Sequence, residues 1–139
     1  MDNPLLGMPM FATVRLGRIA RATVSGAFDQ EGLSWRTHFA LYCLTELGEL
    51  SQRELADHLT MDRSDLVKML DEVETAGLVR RAPDPSDRRR RILSITAAGK
   101  DQLQRGKDVV DRATDEFLAH LNGNEREQLH QLTLRAIGA

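Results

Sequence analysis

The chain has 139 residues, 41% of them hydrophobic and 29% charged, a balance that is ordinary for a soluble globular protein with one buried core. Its one cysteine, Cys43, excludes an intramolecular disulfide framework, and the lack of any apolar run of about 18 residues excludes a membrane span, so we expect a soluble, cytoplasmic protein. Basic side chains number 19 against 21 acidic ones, a net charge of -2, so affinity for a polyanion must come from local clustering of charge.

Two helices are predicted first. Apolar residues recur at helical spacing after Pro9, which suits a first turn, and they predict a helix over about residues 10–30 that ends near Gly32. Ser34 is a candidate N-cap for a second helix, whose apolar run is closed by Gly48.

A helix-turn-helix is predicted next. Ser51 and Glu54 have the spacing of a capping box, so a short helix should occupy about residues 52–59. Asp62 is placed to cap a second helix, which should end at Gly77. Two short helices joined by a three-residue turn form this motif.

A hairpin and two further helices complete the chain. β-forming residues on both sides of a Pro/Asp/Ser turn predict a β-hairpin directly after the motif. Thr96 can cap a long helix that reaches about Leu121, and a second capping box at Asn124 and Glu127 predicts the start of the last helix. The fold class is therefore mainly α with a small β-hairpin wing: a winged helix-turn-helix over residues 49–96, flanked by helical arms over residues 1–48 and 97–139.

The second helix of the motif has two different faces. Its apolar face carries Leu66, Met69, Leu70 and Val73. Its outward face begins with Arg63, Ser64, Val67 and Lys68. A helix that enters the major groove, about 12 Å wide, needs short or basic outward side chains over its first turns, and this helix has them. The alternative is an ordinary amphipathic surface helix with i,i+4 charge pairs.

The hairpin concentrates positive charge. Residues 78–91 contain six arginines and two acidic residues, a local net charge of +4, and four of the arginines are consecutive at residues 88–91. An arginine at a hairpin tip can enter the minor groove beside a recognition helix, and Asp87 could hold an arginine fork by charge-assisted hydrogen bonds. The alternative is a solvated loop, which is less expected directly after a capped helix-turn-helix.

Five short motifs in residues 49–100 resemble the MarR family of bacterial transcription regulators. They are "LADHL" at residues 55–59, "DRS" at 62–64, "GLVRR" at 77–81, "DPSDRR" at 84–89 and "ITAAG" at 95–99. Each is weak alone, but the five occur in the family's order and spacing, and the helical arms have the lengths that the family uses for dimerisation.

The resemblance implies partners and residue roles. It implies a homodimer joined through the N- and C-terminal helices, a pseudo-palindromic operator in double-stranded DNA, and release on binding of a small phenolic or aromatic acid or on cysteine oxidation. By position it places Arg89 in the minor groove with Asp87 as its brace and Arg88 beside it. On the recognition helix it implicates Arg63, Ser64, Val67 and Lys68. Family members often have small hydroxyl residues at the positions of Asp65 and Val67, so we expect Asp65 to face inward or to cap its own helix.

The resemblance also places an effector site against the first two helices. Those helices supply Arg15, Trp35, His38 and Tyr42, together with Arg18 and Arg36. An arginine beside aromatic rings suits a carboxylate on a ring, although the aromatic residues could equally be packing and the arginines dimer-surface charges. Cys43 lies in an apolar helix and is expected to be buried and inert rather than a redox sensor. The histidines show no metal-ligand spacing, so no metal site is expected.

The function predicted from these features is a sequence-specific regulator that binds double-stranded DNA, a homodimeric repressor released by a small ligand. The alternative is a protein-interaction module on a winged-helix scaffold, with the acidic stretch at residues 71–74 as its contact. No nucleophile-elbow, zinc-protease, P-loop or dinucleotide motif occurs, so we expect neither an enzyme nor a cofactor.

Overall fold

A computed structural model describes residues 2–139 of the chain. It contains six helices and three short strands after a 3-10 turn at Pro4–Gly7. In chain order these are α1 (Pro9–Gln30), α2 (Trp35–Leu47), β1 (Leu50–Ser51), α3 (Gln52–Leu59), α4 (Arg63–Thr75), β2 (Val79–Asp84), β3 (Asp87–Ile95), α5 (Ala97–Phe117) and α6 (Gly123–Ile137). The predicted fold class, mainly α with a small β wing, is confirmed.

The described chain forms two compact units. One unit comprises the residues up to Ala27 together with Val110–Ala139, and it holds most of α1 and all of α6. The other unit, Phe28–Val109, holds α2, α3, α4 and the whole sheet. The helix-turn-helix and the wing therefore belong to one unit.

The sheet has three antiparallel strands in the order β1-β3-β2. In β2 and β3, Val79 pairs with Ile95, and the register shifts at a bulge between Pro83 and Asp84, next to the turn. The strand β1 was not predicted, because two residues are too few to show an alternating pattern. It pairs Leu50 with Leu93 at the base of the wing.

The first helix of the helix-turn-helix begins at the predicted capping box. The Ser51 Oγ accepts from the Glu54 amide at 3.2 Å, and Glu54 Oε2 accepts from the Ser51 amide at 2.7 Å. Helix α3 then ends at Thr60, which adopts the left-handed conformation with φ 51° and donates its amide to Ala56 and Asp57 carbonyls. Because both ends of this short helix are capped, its length is fixed by local sequence.

The core of this unit lies under α4. Its largest fully buried aliphatic side chains are Leu41, Leu55, Leu66, Leu70 and Leu93, from α2, α3, α4 and β3. Leu103 of α5 joins the same cluster. Burial of side chains of this size stabilises a fold by about 1.5–3 kcal/mol each, so the orientation of α4 is set by its apolar face.

The end of α5 and the start of α6 differ from the prediction. Helix α5 ends at Phe117, four residues before the expected end, and the capping box that starts α6 is formed by Asn122 and Glu125. The prediction of a box at Asn124 was wrong because the pattern Asn-x-x-Glu occurs twice, two residues apart. With the capping box at Asn122 and Glu125, Arg126 lies against Asp115 of α5, with an Nη1 to Oδ1 distance of 2.7 Å.

Candidate nucleic-acid interface

Helix α4 presents the two faces that its sequence predicts. Leu66, Met69, Leu70 and Val73 are at most 7% exposed. The outward residues Arg63, Ser64, Val67 and Lys68 are all exposed. The polar face of the helix is thus available to a partner, whereas its apolar face is committed to the core.

The start of α4 differs in detail from expectation. Asp62 occupies the N-cap position with an extended backbone, but its carboxylate caps no amide and instead accepts from the Ser64 hydroxyl at 3.0 Å. Asp65 is exposed in the first turn rather than inward-facing or capping, so that expectation was wrong. Because the Ser64 proton is engaged by Asp62, this hydroxyl can donate to a phosphate only by leaving Asp62.

The wing turn is organised by two aspartates. Asp84 Oδ1 accepts from both the amide and the hydroxyl of Ser86, at 2.9 and 2.8 Å. Asp87 Oδ1 accepts from the backbone amide of Arg89 at 2.9 Å. The expectation that Asp87 holds an arginine fork is therefore wrong for this conformation, since the carboxylate shapes the backbone at Arg89 and leaves its guanidinium exposed.

Two arginines of the wing have structural partners that the sequence did not reveal. Arg81 lies between two acids of α4, with Nη2 3.0 Å from Asp71 and Nε 2.8 Å from Glu74. Arg90 lies near Glu54 and Asp84. The sequence-based charge count treated both arginines as free wing charge, because their partners are 6 to 36 positions away and no local pattern indicates these pairs.

A groove of about 680 Å³ joins four of the predicted contact residues, whereas Ser64, Lys68 and Arg88 do not line it. Arg63 and Val67 of α4 line it together with Asp87 and Arg89 of the wing. The first turn of α3 forms part of its wall. The structure therefore brings the recognition helix and the hairpin tip to one surface, whose free positive charge comes from arginines at both elements.

The residues expected at an effector site are divided between the two units. Arg15 is exposed in α1, in the unit that includes α6, whereas Trp35, His38 and Tyr42 lie on α2. The Arg36 guanidinium lies over the Trp35 ring at 5.1 Å, so an arginine does stand beside an aromatic ring here. Tyr42 is 48% exposed.

His38 is buried rather than presented to solvent. It is 6% exposed, and its ring lies 5.2 Å from that of Phe28. Its Nδ1 atom has no hydrogen-bond partner among the described residues. Burial, and secondarily the positive charge of Lys107, lower the pKa of His38 below its ordinary value. The side chain is therefore held as a neutral imidazole in a packed environment.

Cys43 is half-buried, and burial raises the pKa of its thiol.

Within residues 2–139, no three His, Cys, Asp or Glu side chains are grouped so as to hold a metal ion. Nor does any helix in this part of the chain combine the length and apolar character needed to cross a membrane.

The capped helix-turn-helix, the three-stranded wing and the arginine-lined groove define the class of winged helix-turn-helix DNA-binding proteins. The family model described as "MarR family" matches residues 33–90. A Thauera aromatica protein named as a transcriptional regulatory protein for the hcr operon is 35% identical over 124 residues, covering 88% of this chain and 75% of that protein. The chain belongs to the MarR family, whose members are DNA-binding transcriptional regulators rather than enzymes.

Other relatives and solved structures agree with this assignment. An HTH-type transcriptional repressor of Mycobacterium tuberculosis is 29% identical over 131 residues, covering 94% of this chain and 92% of the repressor. The crystal structure of a MarR-family regulator from Rhodococcus is 27% identical with a TM-score of 0.85, covering 96% of this chain and 94% of its own.

Two further solved structures share the fold at lower identity. One is a mutant of MarR from Escherichia coli complexed with operator DNA, 17% identical with a TM-score of 0.81, covering 97% of this chain and 99% of its own. The other is BpsR of Bordetella bronchiseptica, described as regulated in DNA binding by 6-hydroxynicotinic acid, 16% identical with a TM-score of 0.87, covering 100% and 99%.

Proposed function

We propose that this chain is a cytoplasmic homodimeric repressor that binds a pseudo-palindromic operator in double-stranded DNA. The observation that carries the proposal is the shared groove, where Arg63 and Val67 of α4 meet Arg89 of the wing. In this assignment the first two turns of α4 enter the major groove, and Arg89, with Arg88 beside it, enters the adjacent minor groove. The E. coli relative crystallised with operator DNA and the M. tuberculosis relative named a repressor support it.

The homodimer is supported by exposed apolar side chains in the unit that holds α1 and α6. Met10, Val14 and Ile19 of α1 are 74%, 55% and 46% exposed. Leu132 and Ile137 of α6 are 58% and 71% exposed. Several large apolar side chains exposed on the same two helices indicate a surface that binds another protein. In our proposal that protein is a second copy of the chain. Two recognition helices about 34 Å apart then reach successive major grooves.

Release by a small aromatic acid is the regulatory part of the proposal. It is supported by the Arg36 and Trp35 pair on α2 and by BpsR, whose DNA binding 6-hydroxynicotinic acid regulates. A ligand can release DNA only if it binds the released geometry more tightly than the DNA-competent one. The protein-interaction alternative loses support, because Asp71 and Glu74 of its acidic contact are engaged by Arg81.

The first experiment is a fluorescence-anisotropy titration of the full chain against the duplex upstream of its own coding sequence, with a scrambled duplex as reference. We expect sequence-dependent binding that weakens steeply as salt rises. Arg89→Ala should reduce the salt slope by about one unit for each wing, whereas Arg105→Ala, an exposed arginine on α5, should leave it unchanged. Equal weak binding of both duplexes, insensitive to Arg89→Ala, would contradict the proposal.

A further inference from the structure

The four consecutive arginines of the wing are not equivalent. Arg90 Nη2 lies 3.3 Å from Glu54 Oε1, and its Nε lies 3.9 Å from Asp84 Oδ2. Within residues 2–139, the side chains of Arg88, Arg89 and Arg91 form no hydrogen bond and no ion pair. Arg90 alone among the four thus connects the wing to the first turn of α3.

Both carboxylates that face Arg90 are fixed by their other oxygen atom. Glu54 uses Oε2 to accept from the Ser51 amide, which leaves Oε1 for Arg90. Asp84 uses Oδ1 to accept from Ser86, which leaves Oδ2. Hydrogen bonds to Ser51 and to Ser86, followed by the charge of Arg90, lower the pKa of Glu54 and of Asp84 respectively. Arg90 therefore meets two carboxylates that stay ionised and are already oriented.

The local charge argues against a phosphate contact at this position. Arg90 and Glu54 line the same groove as Arg89. Glu54 and Asp84 together nevertheless outweigh the single charge of Arg90, so this cluster of three is net negative and adds no net positive charge to the groove. The Arg90 and Glu54 side chains are 46% and 50% exposed, so solvent screens the pair and it adds little to the stability of the fold. The remaining effect of the Arg90–Glu54 pair is on geometry. It joins the wing to α3, two elements that must contact the same duplex in the proposed complex.

We propose that Arg90 is a positioning residue: by bridging Glu54 and Asp84 it sets the wing relative to α3 and α4, and it does not itself contact phosphate. The proposal rests on the proposed DNA binding. It divides the arginine run into Arg88, Arg89 and Arg91, which provide charge to the DNA, and Arg90, which provides alignment.

Salt dependence separates these two roles. Losing a phosphate contact lowers the slope of log K against log salt by about one unit per wing, whereas losing alignment weakens binding at every salt concentration with the slope unchanged. We expect Arg90→Ala and Glu54→Gln each to weaken operator binding about two- to fivefold per wing with the wild-type slope. Glu54→Gln retains an acceptor for the Ser51 amide, so the cap of α3 survives. The double variant should bind no more weakly than either single variant.

A measurement without DNA keeps this inference separate from the proposed function. Amide hydrogen exchange of residues 80–92 should be at least about threefold faster in Glu54→Gln and Arg90→Ala than in wild type, and unchanged in Arg89→Ala. A slope lowered by one unit per wing in Arg90→Ala would show a phosphate contact. Tighter binding by Glu54→Gln would show that Glu54 competes with DNA for Arg90. Unchanged exchange would show that the pair aligns nothing, and each of these results overturns the proposal.

Discussion

His38 of α2 occupies the space that a side chain at Gly106 of α5 would fill. A Cβ atom built on Gly106 would overlap the imidazole Nδ1 and lie 2.8 Å from Cε1. The ring also packs against Phe28 and Phe39, with centroids 5.2 and 5.9 Å away. The crossing of α2 with α5 therefore depends on glycine at one position and on a neutral ring at the other.

Gly106→Ala should destabilise the protein by about 1–3 kcal/mol, because the buried His38 ring must shift to admit the added carbon. The measurement is urea denaturation at a fixed protomer concentration. The matched control is Gly26→Ala in α1, where nothing lies within 4 Å of the added Cβ and where we expect a gain of about 0.5–1 kcal/mol. In the double variant His38→Ala/Gly106→Ala, the loss of unfolding free energy should be clearly smaller than the sum of the losses in the two single variants, because the ring that the added carbon would overlap is gone. A loss equal to that sum would count against the contact.

Acid should destabilise the protein through His38. The folded pKa of His38 lies below the unfolded value of about 6.5, so the unfolded chain takes up the proton first as the pH falls. The contribution of His38 to the unfolding free energy is therefore most favourable above about pH 6.5 and becomes less favourable as the pH falls from there through the folded pKa.

The check compares wild type with His38→Asn by chemical denaturation between pH 7.5 and pH 5. Groups that titrate equally in both proteins cancel in the difference, whatever the substitution does to absolute stability. The advantage of wild type over the variant should shrink towards acid pH. Parallel stability curves across this range would contradict the assignment.

Replacing Asn122 and Asn124 separately tests which of the two asparagines caps α6. Asn122→Ala removes the acceptor for the Glu125 amide, which is 2.9 Å away, and should cost about 1 kcal/mol in unfolding free energy. Asn124→Ala, inside the first turn of α6, should change the unfolding free energy by less than about 0.5 kcal/mol. A larger loss of unfolding free energy in Asn124→Ala than in Asn122→Ala would instead support the capping box at Asn124 that the sequence predicts.

Cys43 should be unreactive in the folded protein. Burial raises the pKa of its thiol, so little thiolate is present near neutral pH, and the thiolate is the reactive form. At pH 7.5 we expect iodoacetamide to alkylate native Cys43 at least about tenfold more slowly than the urea-unfolded chain. Equal rates would instead favour the redox-sensing role that some members of the family have.

Local signals were sufficient for most of the fold. Ser51 with Glu54, and Thr96 with Gly99, are caps formed within four residues, and the structure confirms both. The apolar face of α4 follows from helical periodicity alone. The predicted start of α6 was wrong because two equivalent local signals overlap. The observed cap is accompanied by the contact of Arg126 with Asp115 of α5, which no local signal predicts.

The parts of the site that sequence could not predict depend on contacts between distant segments. Arg90 and Glu54 are 36 residues apart, and neither belongs to a pattern that indicates the other. The partner of Asp87 was also missed, since a side chain near an arginine can bind either its guanidinium or its backbone amide. Charge counting identified the wing, but it could not say which arginines were already paired.

The two-residue strand β1 limits how descendants of this sequence can vary. Ser51 both pairs with Ile92 in the sheet and serves as the N-cap of α3, so the recognition motif and the base of the wing share one backbone ladder. Insertions at residues 85–86 can lengthen the hairpin without moving that ladder. One residue inserted between Leu50 and Ser51 would instead take Leu50 out of its pairing with Leu93. In the proposed mode of DNA binding, a change of target sequence is therefore most accessible at the hairpin tip and at the outward face of α4, while the strand before α3 must keep its length.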